Sequence, residues 1–471
     1  MSKLLYINTF GCQMNVYDSE RIEGSLKKLG YTVTSLLESA DLVIANTCAI
    51  RAKAEQKAFS FLGRLAKIKR KKPELIVGVG GCVAQQQGRE ILRRMPHVDL
   101  VFGTHALGRL SSAVQKIEKN RCRIVDIDMS ETVADEKAAP AGLPAEGIAK
   151  FVTIMQGCDN YCSYCVVPHV RGREASRHPD DILNEIKMLV DGGVKEVTLL
   201  GQNVNSYGIK EGLCSFAGLL SMINRVNGLS RIRFTTSHPK DLSDDLIEAF
   251  GDLEKLCRHI HLPVQSGSNR VLKRMNRKYT REAYMQKVRR LRARCPQIAI
   301  TSDIIVGFPG ETTTDAEDTL DLMRRVRFDS LFAFNYSDRP SAPSRKFSGK
   351  VAAHEKNERL QRVLAAQAVI TADIHAGMVG KTEPVLIEGY SKLQETEKGK
   401  PTGEGRQWSG RTSCNKIVNF DIDGPGRTTG DVIGRTVPIK IEKALSHSLW
   451  GTWCRDADTG PTTKGENCYA A

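Results

Sequence analysis

The stretch Gly157-Cys158-Asp159-Asn160-Tyr161-Cys162-Ser163-Tyr164-Cys165 places three thiols within eight positions. Thiolates are the ligands that proteins use to hold iron–sulfur clusters. Three of them on a cubane of four irons leave one iron open, and an open iron can take the amino and carboxylate groups of S-adenosylmethionine (SAM). The C-x-x-x-C-x-x-C spacing therefore suits reduction of a bound sulfonium better than passive electron transfer. A structural zinc site is the other reading, and it needs a fourth tetrahedral ligand, for which nearby His169 is the obvious candidate.

Cys12, Cys48 and Cys82 are far apart in sequence, yet each stands just past a strand-like run: Leu5 to Asn8, Leu42 to Ala45 and Leu75 to Gly78. In a parallel sheet those ends lie along one edge, so the three thiols can converge there as a second three-thiolate site. Gly11, Gly80 and Gly81 beside them would let the backbone approach a bulky group closely. Scattered cysteines can equally be buried core thiols. The shared position after a strand and the downstream triad weigh against that reading. Cys122, Cys214, Cys257, Cys295, Cys414, Cys454 and Cys468 show no grouping that suggests ligation.

At 471 residues the chain is too long for one ordinary core, so two or three domains are expected. The longest apolar runs, such as Leu75 to Val79, fall far short of the roughly 20 residues of a membrane span. Met1 leads directly into a strand-like segment without the layout of a signal or transit peptide, which points to the cytoplasm. Thirteen cysteines there fit metal binding or catalysis better than a disulfide framework. Lys plus Arg exceed Asp plus Glu by 69 to 54, and the net charge of +15 favours a polyanionic partner such as nucleic acid.

Strand-like runs at Leu4 to Asn8, Asp41 to Asn46, Glu74 to Gly80 and Val98 to Phe102 alternate with helical patterns, which predicts a parallel α/β domain over 1–127. Residues 128–149, with Pro140 and Pro144, have linker composition. From 150 to 376 six strand candidates recur: Phe151 to Gln156, Glu196 to Leu200, Ile232 to Thr236, His259 to Val264, Ile298 to Val306 and Ser330 to Phe334. Such repetition predicts an open or partial (βα)6 barrel with its chemistry at the C-terminal strand ends, closed off by one helix over His354 to His375. Residues 377–444 are short-stranded and Gly-rich, as in a small antiparallel β-barrel, and 445–471 is expected to be a disordered tail.

The cysteine triad resembles the signature of the radical SAM superfamily, and the resemblance implies that Tyr164 packs near the adenine of SAM. Together with barrel geometry it places SAM beside Gln202, Asn203, Ser237, Gln265 and Ile305. Thr9-Phe10-Gly11-Cys12-Gln13-Met14-Asn15, Asn46-Thr47-Cys48-Ala49-Ile50-Arg51 and Gly80-Gly81-Cys82 look like the N-terminal domain of the methylthiotransferases. With Gly201-Gln202-Asn203-Val204-Asn205-Ser206-Tyr207, and a C-terminal segment similar to a TRAM domain in Gly410-Arg411-Thr412, Asn415-Lys416-Ile417-Val418 and Gly430-Asp431-Val432, the likeness spans nearly the whole chain. The nearest branch is the MiaB type.

That resemblance implies two 4Fe-4S clusters, one on Cys158, Cys162 and Cys165 that cleaves SAM and an auxiliary one on Cys12, Cys48 and Cys82 that carries the sulfur to be methylated. It implies insertion of a methylthio group at C2 of N6-isopentenyladenosine at position 37 of tRNA, next to the anticodon, with two SAM consumed per turnover. The substrate base would enter between the first two domains, unstacked from the anticodon stem-loop. An electron donor such as flavodoxin or ferredoxin and an iron–sulfur or sulfide supply protein would be partners, and the chain would act as a monomer. Arg406, Arg411, Lys416 and Arg435 could meet phosphates, with Trp408 or Phe420 free to stack on bases. The basic runs Lys67 to Lys72 and Arg289 to Arg294 read as solvated helix faces. The alternatives are the same chemistry on threonylcarbamoyladenosine or on a ribosomal protein side chain, and a non-catalytic iron–sulfur protein that binds RNA or senses redox state.

Overall fold

The computed structural model describes residues 3–49, 52–129, 147–391, 407–421 and 432–454. In the first domain β1 (Lys3–Thr9), β2 (Tyr31–Val33), β3 (Leu42–Thr47), β4 (Ile76–Gly81), β5 (Leu100–Phe102) and β6 (Ile124–Asp126) form one parallel sheet in the order β2-β1-β3-β4-β5-β6. Every residue of β3 and β4 is buried, as befits strands covered by helices on both faces. The cover comes from α1 (Gln13–Lys27), α2 (Ala52–Lys71), α3 (Cys82–Gln87), α4 (Arg89–Arg94) and α5 (Leu110–Asn120). Phe61 and Leu65 of α2 pack on Val43 and Val77, while Ile22 of α1 and Val114 of α5 pack on Ile44 and Ile76 across the sheet. The four strands expected from sequence all form. The edge strands β2 and β6 were not foreseen, because three residues are too few to show a period.

The central domain holds β7 (Ala149–Thr153), β8 (Met155–Gln156), β9 (Ala175–Ser176), β10 (Glu196–Leu200), β11 (Arg231–Phe234), β12 (His259–His261), β13 (Ala299–Val306) and β14 (Ser330–Asn335). Two parallel three-stranded sheets, β7-β10-β11 and β12-β13-β14, stand side by side, and a single bridge from Ile232 to Leu256 lies near their seam. They share one core that includes Val152, Val197, Ile232, Ile260 and Ile304. Around them run α6 (Val167–Val170), α7 (Pro179–Asp191), α8 (Phe216–Asn224), α9 (Asp244–Asp252), α10 (Asn269–Arg274), α11 (Arg281–Arg294), α12 (Thr313–Val326) and α13 (Ala353–Ala376). This is the open, partial six-fold barrel that the sequence predicts. Among the described residues no helix is long and apolar enough to cross a membrane.

The C-terminal domain is a closed barrel of β15 (Thr382–Tyr390), β16 (Gln407–Thr412), β17 (Ile417–Asp421), β18 (Thr436–Ala444) and β19 (Leu449–Trp453). Here the structure corrects the expectation of a tail from 445 onward. β19 pairs antiparallel with β18 and parallel with β17, buries Leu449 and closes the barrel, and closure removes the exposed edges an open sheet would leave. The β17–β19 pair also makes one seam of the otherwise antiparallel barrel parallel. Residues 130–146 of the linker and 455–471 of the tail, with Cys468, lie outside the described residues, as does Arg406.

Candidate active site

The loop after β8 carries the first cysteine set. Gly157 sits at φ +80, and a Cβ there would stand 2.0 Å from the Arg173 carbonyl oxygen, so the turn that presents Cys158 accepts only glycine. The Gly157 amide donates to Gln202 Oε1 at 2.5 Å. Cys165 N donates to the Cys162 carbonyl at 2.9 Å, and Val167 N to Cys165 Sγ at 3.4 Å. Burial pushes the Cys158 thiol up to about 11 and Cys165 up to about 12, and the charge of Cys162 adds to both, which puts the three sulfurs in one electrostatic neighbourhood. Arg277, only 3% exposed, reaches in from the loop before α11: its Nη1 lies 3.4 Å from Cys162 Sγ and 3.2 Å from Tyr164 Oη, and its Nη2 donates to the Pro263 carbonyl at 2.6 Å. His238 Nε2 is 3.9 Å from Cys162 Sγ. Burial, reinforced by the Arg277 charge, lowers that imidazole to about 2 and keeps it neutral.

The C-terminal strand ends around this loop hold buried polar atoms without partners. Asn203 Oδ1 and Asn205 Oδ1 after β10, Ser237 Oγ after β11 and Gln265 Oε1 after β12 make no hydrogen bond among the described residues. All four side chains are buried. An unsatisfied buried polar group costs about 1–3 kcal/mol, so four at one barrel mouth mark a place built for a polar ligand. Thr236 and Gln265 adopt left-handed backbone at φ 68 and 73, a strain that gathers at functional sites. Tyr164 and Ile305 pack into one apolar cluster with Phe308 and Tyr336, forming a greasy shelf beside these groups. Polar acceptors next to an apolar shelf and three thiols fit a ligand with an amino acid end and a nucleoside end, as SAM has. Gln202 differs from the others, since Gly157 already occupies its Oε1.

In the first domain Cys12 caps α1, Cys48 follows β3 and Cys82 opens α3 directly after β4. A Cβ on Gly11 would stand 2.3 Å from Cys48 Cβ, and one on Gly81 2.4 Å from the Thr47 carbonyl, so both glycines permit the close approach. A hydrogen bond with Cys48 lowers Cys12 to about 6, against burial and with help from Arg171, whereas burial raises Cys82. Arg171 comes from the central domain, just past α6. Its Nη2 pairs with Asp18 Oδ2 of α1 at 2.6 Å, both side chains being buried. Its Nη1 finds no partner within hydrogen-bond distance among the described residues, and its charge bears on Cys82 and Cys12. Tyr17 Oη to Glu185 Oε1 (3.3 Å) and Lys150 Nζ to Glu20 Oε1 (3.0 Å) extend the same seam between the two domains. Among the described residues no three His, Cys, Asp or Glu side chains close around a single-ion position, and His169 is exposed.

The nucleic-acid candidates fare unevenly. Lys416 is taken up by Asp329 at 2.5 Å with side chains 9% and 15% exposed, an ion pair inside the seam between barrel and central domain rather than a phosphate contact. Arg411 pairs with Glu388 at 3.0 Å, and Arg435 is exposed. Phe420 is fully buried and Trp408 is 5% exposed against Tyr390, so both belong to the barrel core and neither is free to stack on a base. In the run from Arg289, Arg290 and Arg294 pair with Asp244, Glu248 and Asp252 of α9, while Lys69 and Lys72 pair with Asp99 and Asp41. Arg171 and Arg277 escaped the sequence reading, whereas His238 stands next to Ser237 at a strand end that the barrel reading gives to SAM, without a sulfur as its expected neighbour. Each lies far along the chain from the sulfur it approaches, and no local spacing marks it.

Comparison with known proteins agrees with this layout. Three family models match in chain order: the uncharacterized protein family UPF0004 over residues 4–103, the radical SAM superfamily over 152–323 and the TRAM domain over 377–453. Fold and motif thus define a radical SAM protein with a TRAM barrel, a class whose chemistry uses a 4Fe-4S cluster and SAM. Similar solved folds include the radical S-adenosylmethionine methyltransferase TsrM from Kitasatospora setae (TM-score 0.55, 16% identity, 73% of this chain and 75% of that one). The cobalamin-dependent S-adenosylmethionine radical enzyme OxsB is another (TM-score 0.52, 14% identity, 78% of this chain and 56% of that one). The chain is 54% identical to the tRNA-2-methylthio-N(6)-dimethylallyladenosine synthase of Desulfosudis oleivorans, covering 95% of this chain and 96% of that relative. It is 51% identical to the enzyme of the same name from Syntrophus aciditrophicus, covering 95% and 94%. The chain belongs to the tRNA-2-methylthio-N(6)-dimethylallyladenosine synthase family.

Proposed function

We propose that this protein inserts a methylthio group at C2 of N6-dimethylallyladenosine, also called isopentenyladenosine, at position 37 of tRNA, using two SAM per turnover. The observation that carries the reading is identity of about one half to synthases of that name over 95% of the chain. Cys158, Cys162 and Cys165 would hold the SAM-cleaving 4Fe-4S cluster, and Cys12, Cys48 and Cys82 a second one. Bound there, the clusters and SAM would supply one-electron cleavage of the sulfonium, a methyl group and the inserted sulfur.

The chain's own residues do the positioning. Arg277 ties Cys162 to Tyr164, so the sulfur and the aromatic shelf keep one geometry. Asn203, Asn205, Ser237 and Gln265 offer acceptors for the ammonium and hydroxyl groups of SAM. Tyr164 and Ile305 exclude water beside them. Arg171 locks the two cysteine-bearing domains together through Asp18. The anticodon stem-loop would present its base at that seam, with Arg411 and Arg435 of the TRAM barrel nearer the phosphates. A flavodoxin or ferredoxin as reductant, a sulfide supply protein and a cytoplasmic monomer complete the reading.

The test is nucleoside mass spectrometry of dimethylallylated tRNA after anaerobic incubation with reconstituted protein, SAM, sulfide and reductant. A methylthio gain on dimethylallyladenosine is expected. Alanine at Cys158, Cys162 and Cys165 should abolish 5'-deoxyadenosine formation, whereas alanine at Cys12, Cys48 and Cys82 should spare it and stop sulfur insertion. If 5'-deoxyadenosine forms and the nucleoside stays unchanged, the substrate is another base or a protein side chain. Absence of 5'-deoxyadenosine would sink the enzyme reading altogether.

A further inference from the structure

The sheet β12-β13-β14 has two faces of different character. Its register pairs His261 with Thr301, Thr301 with Ser330, Asp303 with Phe332 and Ile305 with Phe334, so these side chains share one face. The alternate residues Ile300, Ile304 and Val306, with Leu331 and Ala333 of β14, join the core together with Val363 and Ile370 of α13. On the first face Phe332 is 52% exposed and Phe334 41%. Two phenyl rings left open side by side on a strand whose opposite face packs against the core through Leu331 and Ala333 mark a ligand surface rather than unfinished core.

Its surroundings say what the ligand is. At one end Ile305 packs against the same apolar cluster as Tyr164, the residue before Cys165, so the face borders the SAM shelf. At the other end the His261 ring stands edge-on to Phe332 at 6.4 Å, with Nε2 3.4 Å from Asp303 Oδ2 and Nδ1 3.0 Å from Thr301 Oγ1. The face therefore offers apolar area bordered by a small polar group. None of its residues is Lys or Arg, and the Asp303 carboxylate would repel a carboxylated modification.

We propose that Phe332 and Phe334 form the wall that receives N6-dimethylallyl adenine, with the branched alkyl tail packed on the two rings and His261, Thr301 and Asp303 facing polar edges of the base. This rests on the function proposed above and adds how a prenylated adenosine is told from a plain or carboxylated one. Phe332 and Phe334 are specificity-determining residues in that scheme.

The experiment measures Kd of the cluster-loaded full chain for an anticodon stem-loop RNA with and without the dimethylallyl group, alongside methylthio product formation. The wild-type chain is expected to prefer the prenylated RNA by roughly 10-fold or more, the scale of discrimination an apolar pocket achieves. The F332A/F334A variant should bring that preference to within about twofold through weaker binding of the prenylated RNA alone, and F332L/F334L should restore part of it. Full preference retained by F332A/F334A, with iron content and circular dichroism like the parent, overturns the inference. So does a wild-type chain that forms product yet binds both RNAs alike, an outcome that leaves the proposed reaction standing. A wild-type chain with neither product nor preference overturns both.

Discussion

Arg171 and Arg277 carry buried charge to the two cysteine sets from far along the chain, Arg171 contacting Asp18 across 153 positions and Arg277 contacting Cys162 across 115. A buried guanidinium is tolerated only when paired, and removing one partner of such a pair leaves an uncompensated charge. Arg171→Met is therefore expected to strand Asp18, which is 7% exposed, and to destabilise the chain by about 3–5 kcal/mol in urea unfolding of the full-length protein. Arg171→Lys keeps the charge without the planar fork and should recover only part of that loss. A loss below about 1 kcal/mol would place the pair with weak surface bridges instead.

At the level of elements, α8, α10 and α12, which follow barrel strands, each start at a Ser or Thr whose side chain caps the helix. α12 is the clearest case: Thr312 Oγ1 accepts from Asp315 N, and Asp315 Oδ2 accepts from Thr312 N at 2.7 Å, a reciprocal capping box. Ser268 Oγ donates to the same carboxylate at 2.6 Å, tying α12 to the start of α10. Burial pushes the Asp315 carboxyl up, but hydrogen bonds from Arg270, Ser268 and Thr312 prevail and hold it at about 2. A depressed folded-state pKa contributes stability that is complete above the ordinary carboxylate value of about 4 and disappears as pH falls through about 2. Asp315→Asn should thus lower stability by about 1 kcal/mol at neutral pH and flatten the acid limb of a Tm-against-pH curve. An unchanged acid limb would show that other carboxylates set it.

Over the whole molecule the TRAM barrel is docked at the N-terminal ends of β10 and β11, away from the mouth that bears the cysteines. Arg231 donates to the Arg411 and Pro384 carbonyls, and Arg233 to those of Thr412 and Ser413, while Glu196 pairs with Arg233. Lys416 adds its buried pair with Asp329. These contacts separate two kinds of basic residue. Arg435→Ala is expected to reduce the salt dependence of tRNA binding by about 0.7–0.9 in log–log slope, the value of one phosphate contact. Lys416→Met should leave the slope unchanged and instead speed amide exchange across β15 to β17, because it loosens the seam. A slope change for Lys416→Met would return that residue to the RNA surface.

The spacing of Cys158, Cys162 and Cys165, the strand before each of Cys12, Cys48 and Cys82, the six-fold βα alternation and the apolar periods were all present in the one-dimensional pattern. Local propensity and ligand spacing are short-range properties that sequence determines by itself. The sequence pattern did not reveal β19, Leu-Trp-Gly-Thr-Trp, because only barrel closure shows why that run must pair. Tertiary structure alone decided which charges are spent inside. Lys416 pairs with Asp329, Phe420 fills the core, and Arg171, Arg277 and His238 arrive beside sulfurs from distant loops. It alone exposed Phe332 and Phe334, since a strand's open face depends on what the rest of the chain leaves uncovered. Partnering and exposure are properties of the packed chain, set by contacts whose sequence separation no local pattern encodes.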